Sequence, residues 1–285
     1  MAHDLEAEAQ RLLRVFAHLG PEDLPQIAFG PSAKEAFDTH VFMTAIFRRA
    51  ICATAVADEL LLKMQAVGFR RDPWTAEILI HRIQNNQELQ RVIVDFAKLW
   101  LMDFILPCCY KLDIDVTTRE MERCAITGIY SSQAFTPSTK DEYGKLMCMR
   151  IIPENVRHNE QAQQLIRIFT GGLINTVREK INTAENAILM SETITETFRN
   201  FQWSLKPAPR NNRETIRSNL VVERLAPFQV PKIAALRPDS PVILGDNVAS
   251  MTVICPSQDL CRLHLAAAQI VDDCRLFSAI ERYFN

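Results

Sequence analysis

The residues best suited by type and spacing to do chemistry are Gly245-Asp246-Asn247, set between the apolar runs Val242-Ile243-Leu244 and Met251-Thr252-Val253-Ile254-Cys255. Gly and Asn adopt positive φ at little cost, and an Asp carboxylate bonds nearby backbone amides, so the tripeptide suits a reversal between two strands. Turn closure is the commoner role for such an Asp. At a strand end Asp246 could also hold a metal or orient a ligand. Joined by Asp272 or Asp273 from the last helix, it would supply the scattered acids of a metal-dependent phosphoester hydrolase. A second group is Arg210, Arg213 and Arg217, followed by Arg224, in a Pro/Asn-rich segment near Trp203. Guanidinium groups beside an aromatic surface can hold phosphates and stack on bases. Arg48-Arg49 and Arg70-Arg71 offer the same chemistry beside the second helix. The ligand-binding candidates are therefore Gly245, Asp246, Asn247, Arg210, Arg213, Arg217 and Trp203, and no catalytic residue is identified.

Other chemistries find little footing. The six histidines, His3, His18, His40, His81, His158 and His264, form no His-x-His, His-x3-His or His-Glu-x2-His pair, so no local metal site is written in the chain. Asp38 and His40 are two apart and would not share a helix face, and Glu77 stands four before His81, where a structural pair suffices. The eight cysteines include no Cys-x2-Cys spacing and lie mostly in apolar stretches, which argues against a zinc ribbon or a redox motif. No Gly-x-Ser-x-Gly elbow occurs, and Gly171-Gly172 lacks the Gly-Lys-Ser/Thr ending of a phosphate loop. We expect no metal and no cofactor.

The elements that must position these residues are mainly helices. A 285-residue chain with 48% hydrophobic residues, 23% charged residues and only 8 Gly reads as an ordinary, helix-rich globular protein. The pattern predicts a helix over residues 5–19. A long one follows, opened by a Ser32-Ala-Lys-Glu35 capping box and ended by Gly68. Asp72-Pro73 opens another, and one over 88–106 follows the polar break at 84–87. Thr117-Thr-Arg-Glu120 opens a helix towards 129, residues 142–150 form a short one, and apolar positions keep a helical period over 159–189. After residue 198 six prolines between Trp203 and Pro256 exclude long helices and favour short strands. We place strands at 201–205, 220–225, 232–236, 242–244, 251–255 and 261–265, and a closing helix at 267–283. The fold class expected is α+β: a mainly helical body over 1–198, then a small antiparallel β-layer and a C-terminal helix over 199–285, packed together as one domain.

The order of features in the last part resembles a family. Trp203 in an aromatic strand, Pro241-Val-Ile-Leu-Gly-Asp-Asn247, Ile254-Cys-Pro-Ser-Gln-Asp259 and Cys274-Arg-Leu-Phe-Ser278 are similar to the C-terminal half of the domain of unknown function 4238 family. That family has an apolar strand running into Ser-Asp-Asn-Pro and a final helix ending in Arg-aromatic-Ser. Here Gly245 and Val248 replace the Ser and Pro, and the family's N-terminal His-aromatic-Val-Pro signature is absent. The resemblance covers about a quarter of the chain, carries Asp246 and Asn247 over as matching positions, and implies no established reaction.

Charge bounds the partners: 32 basic against 34 acidic residues, with a sequence pI near 6.3, do not describe a protein built to coat nucleic acid or an anionic membrane. The apolar run over 99–110 is interrupted by Asp103 and Pro107 and is too short to span a bilayer. The acidic start and unpatterned cysteines lead us to expect a cytoplasmic protein with reduced thiols. The function expected is that of a non-catalytic or regulatory binding protein, recognising an unknown protein or a small ligand where helical body and β-layer meet. The alternatives are the hydrolase using Asp246 and a nucleic-acid-binding structural protein such as a viral nucleocapsid; nucleic acid is possible but not favoured.

Overall fold

In a computed structural model the chain is described over residues 2–29, 35–70, 74–106, 122–132, 142–208, 220–225, 237–242 and 255–284. The fold class is α+β, with a helical body, small sheets and a helix at the C-terminal end. Packing groups the chain into two compact units that are not sequential halves divided at residue 198. One unit takes Met1–Leu106, Asn159–Ile174 and Gln269–Asn285, and the other takes Pro107–His158 and Asn175–Ala268.

The first unit is built on helices whose apolar faces the sequence makes plain. Helix α1 (Ala2–His18) buries Leu12, Val15 and Phe16, the i, i+3, i+4 stripe of an amphipathic helix. The helix predicted to open at Ser32 begins later. Ser32 lies outside the described residues, and Glu35 belongs to a short strand, β2 (Glu35–Phe37), antiparallel to β1 (Ile27–Phe29). Helix α2 (Thr39–Arg49) then stops at Ala50, and α3 (Ala53–Ala66) is a separate helix. The interruption is tertiary, because the Cys52 amide donates 2.8 Å to the carbonyl of Phe169 rather than to its own helix. Gly68, at φ 89°, follows α3 as predicted. Helix α4 (Ala76–Gln84) is capped by Thr75 and α5 (Gln87–Leu99) by Asn86, whose Oδ1 accepts from the amides of Glu88 and Leu89.

Helix α5 runs on as a π-helical stretch, Trp100–Ile105. Here Trp100 is fully buried, with Phe96 and Phe104 edge-on to it and Phe169 tilted against it. Such wide turns accommodate one extra residue within a helix. On this stretch Asp103 accepts 2.9 Å from Asn159 Nδ2, while Asn159 Oδ1 caps α6 (Glu160–Thr170). Helix α6 ends on Gly171 in the left-handed region, φ 69°, where an added Cβ would sit 3.0 Å from Cys52 Cβ and 3.1 Å from Sγ. Both the backbone and the space demand Gly. Gly171→Val is expected to cost about 2–4 kcal/mol, from left-handed strain and overpacking together. Denaturant unfolding at constant m-value measures it, and a loss below about 0.5 kcal/mol would contradict this account.

The second unit holds strands where the sequence reading expected helices. Residues 142–150 form β4 (Tyr143–Gly144), which pairs in parallel with β3 (Tyr130–Ser131), and β5 (Leu146–Arg150). Residues 122–129 make turns and a bridge rather than a helix. The helix predicted over 159–189 is broken at Gly171-Gly172. It resumes as α7 (Ile174–Lys180) and gives way to β6 (Ala187–Ser191), antiparallel to β5. Every residue of β6 is buried, so it lacks the alternation that marks a half-exposed strand.

Beside it Asn186, wholly buried, ties the chain together. Its Oδ1 accepts 2.8 Å from the Ile152 amide, and its Nδ2 donates 2.6 Å to the Ile152 carbonyl and 2.8 Å to that of Ile181. Helix α8 (Glu192–Arg199) packs on β5, β6 and β7 (Trp203–Pro207), and β7 is antiparallel to β8 (Leu220–Arg224), with Pro241 bridged to Val221. The strand predicted at 261–265 is instead helical, inside α9 (Gln258–Asp273), and a left-handed Arg275 separates α9 from α10 (Phe277–Phe284).

Candidate functional site

Of the ligand-binding candidates singled out from the sequence, Trp203 alone lies among the described residues. Gly245, Asp246 and Asn247 lie outside the described residues, as do Arg210, Arg213 and Arg217. Trp203 offers no stacking surface: it is fully buried, and its Nε1 donates 3.0 Å to Thr197 Oγ1.

The first unit contains a cleft of about 300 Å³ that brings together residues the sequence keeps far apart. Helix α2 supplies one wall. His40, Thr44 and Arg48 recur every fourth residue and so share one helix face, with Val41 and Ala45 beside them, while Phe16 and Ala17 come from the end of α1. Asp273, from the last turn of α9, completes the lining. The result is an apolar floor carrying a few convergent polar groups, the usual constitution of a small-ligand site.

The two adjacent arginines of α2 have different tasks. Arg49 is committed to Asp273 in a two-pronged pair, Nε to Oδ2 at 2.8 Å and Nη2 to Oδ1 at 2.9 Å, the planar geometry that makes such pairs strong. That hydrogen bond is the main cause holding the Arg49 guanidinium above its ordinary pKa. Neighbouring groups feel the same centre: burial first, then the Asp273 charge, raises the carboxyl of Asp272 and the thiol of Cys274. Arg48 lines the cleft with no ion-pair partner among the described residues; His40 lines it too, and its Nδ1 is buried without a hydrogen-bond partner among them. With Asp273 neutralised by Arg49, the cleft has an excess of positive charge and donors.

One other pairing invites a catalytic reading and fails it. Ser204 Oγ and His264 Nδ1 are 2.7 Å apart, the reach of a nucleophile and its base. Both residues are 0% exposed, and the His264 ring stacks on Phe198 at 4.1 Å and 6° with Phe201 tilted beside it. Burial lowers the His264 pKa to about 3. The pair joins α9 to β7 inside the second unit and no reactant reaches it.

The described cysteines, Cys52, Cys124, Cys148, Cys255, Cys261 and Cys274, are all free thiols. Among the described residues no three His, Cys, Asp or Glu side chains gather as metal ligands, and no helix is long and apolar enough to cross a membrane. Sequence reasoning noted Arg48 among the arginines beside the second helix and set His40 aside, without joining the two. The signal available was the four-residue spacing His40, Thr44, Arg48, but Asp273 lies more than two hundred residues away and no local pattern points to it. No family model, curated protein or solved structure matches the chain.

Proposed function

We propose that the protein is a non-catalytic binding protein that takes a small organic acid, a carboxylate on an apolar body, in the α2 cleft. The observation that carries this reading is the contrast between neighbours: Arg49 is saturated by Asp273, whereas Arg48 lines the cleft beside His40 and has no carboxylate of its own among the described residues. A ligand carboxylate would meet the Arg48 fork and the imidazole, and its apolar part would lie against Phe16, Val41 and Ala45. A hydrogen bond between charged groups is worth about 1.5–3 kcal/mol.

Calorimetric titration with a panel of aliphatic and aromatic monocarboxylates tests the reading. One-site binding is expected, weakened about tenfold or more by Arg48→Gln. Because Arg48 is exposed, its replacement should change unfolding free energy by less than about 0.5 kcal/mol. Equal affinities in parent and variant, or no saturable binding at millimolar ligand, would exclude it.

A further inference from the structure

A second cleft of about 480 Å³ lies elsewhere in the first unit, between the turn that ends α3 and the corner joining α4 to α5. We propose that it is a phosphate site, built to take the dianionic phosphoryl group of a small molecule. It is independent of the organic-acid reading.

The lining has one sign of charge. Arg70, His81 and Arg82 face it, with Asn85 and Asn86, and no carboxylate contributes. The chain as a whole carries a net charge of −2, so the exclusion of acids here is local. Among the described residues neither Arg70 nor Arg82 has an ion-pair partner, unlike Arg49, Arg91, Arg150 and Arg262. Two uncommitted guanidinium forks match the several oxygens of a phosphate better than a single carboxylate, because each fork can donate two parallel N–H bonds.

The donors are also held in place. The Arg82 guanidinium lies 5.8 Å from the centroid of the Phe69 ring, and Phe69 is itself 4% exposed, so one face of the cation rests on a fixed surface. Asn85 Nδ2 donates 2.7 Å to the His81 carbonyl, which fixes the orientation of that amide, since a carbonyl only accepts. The same Nδ2 stands 3.2 Å from His81 Nδ1, and an amide N–H donating there leaves Nε2 as the ring's N–H. The imidazole is thereby a donor. Gly68, at φ 89° with no heavy atom within 4 Å of where a Cβ would stand, makes the turn that sets Arg70 beside the α4–α5 corner.

Calorimetry on the full chain at low ionic strength, with inorganic phosphate as the probe, tests the proposal. We expect saturable one-site binding that Arg70→Gln and Arg82→Gln each weaken about tenfold or more and that added salt weakens further. Because Arg82→Gln also removes a contact with Phe69, the exposed Arg70→Glu provides a variant that leaves the fold alone; it should eliminate binding while the unfolding midpoint stays put. Ribose 5-phosphate, adenosine monophosphate and adenosine separate the sources: equal affinity for the first two identifies the phosphoryl group alone, and tighter adenosine monophosphate a nucleotide. Adenosine binding as well as adenosine monophosphate would overturn the proposal, as would absence of saturation by about 10 mM phosphate or an unchanged affinity in Arg70→Glu. Arg48→Gln should leave phosphate affinity unchanged, so this test and that of the organic-acid cleft fail separately.

Discussion

Acidification from pH 6.5 to pH 4 is expected to remove about 3 kcal/mol of stability through His264 alone. Burial lowers the folded-state pKa of His264 from 6.5 to about 3. The unfolded chain therefore takes up a proton through a range in which the folded protein refuses it. The sign follows: this contribution is complete above the unfolded value, falls by about 1.4 kcal/mol per pH unit below it, and reaches its floor near the folded value. Charging the ring in place is the alternative, and it would put a cation in a shell of Phe198 and Phe201 with Ser204 as its one polar partner among the described residues. Urea unfolding at a series of pH values, compared with His264→Gln, isolates the effect. Gln keeps a polar partner for Ser204 and does not titrate, so the variant's stability should vary less steeply with pH by about that slope. Parallel pH profiles would show that His264 does not resist protonation.

Asn186→Ala is the other large expected loss, about 3 kcal/mol or more. Three backbone groups depend on that amide, the N–H and C=O of Ile152 and the C=O of Ile181. All three would be stranded beside a side chain that is 0% exposed, and a buried polar group left unpaired costs about 1–3 kcal/mol. Asn186→Asp should be worse at neutral pH despite equal size, because it sets a carboxylate oxygen against two carbonyls. Unfolding midpoints at constant m-value report both changes. An Asp variant as stable as the parent would mean that the amide does not hold those carbonyls.

How far the sequence discloses this molecule depends on whether a segment's partners are local. Helices α1, α4 and α5 follow from apolar spacing, α5 also from the polar break before it, and Gly68 stops α3 as its type predicts; Asp72-Pro73, expected to open α4, lies outside the described residues, and the cap is Thr75. The interruption at Cys52 does not follow, because its cause is the carbonyl of Phe169, far along the chain. Strand β6 looks helical in a one-dimensional reading because it is buried on both faces. A continuous apolar run has no visible period, so its four or five residues fit either pattern. The same limit governs the site. The His40-Thr44-Arg48 face could be read from spacing, but what frees Arg48 and occupies Arg49 is Asp273, whose role belongs to tertiary structure. Trp203 illustrates the converse error. An aromatic near arginines suggested a stacking surface, while its indole N–H had a partner six residues earlier in Thr197.

The bond between Arg49 and Asp273 joins residues 224 apart in the chain. On a ribosome adding about 5–20 residues per second, about 10–45 s pass between the appearance of the one and of the other. Through that interval the nascent α1 and α2 present Phe16, Val41 and Ala45 without the segment that brings their acidic neighbour. The segments of the second unit are all synthesised by Ala268, before that of the first is complete. A protein assembled in this order has its inserted portion available to fold first, and the cleft acquires its finished charge only after the segment carrying Asp273 has been made.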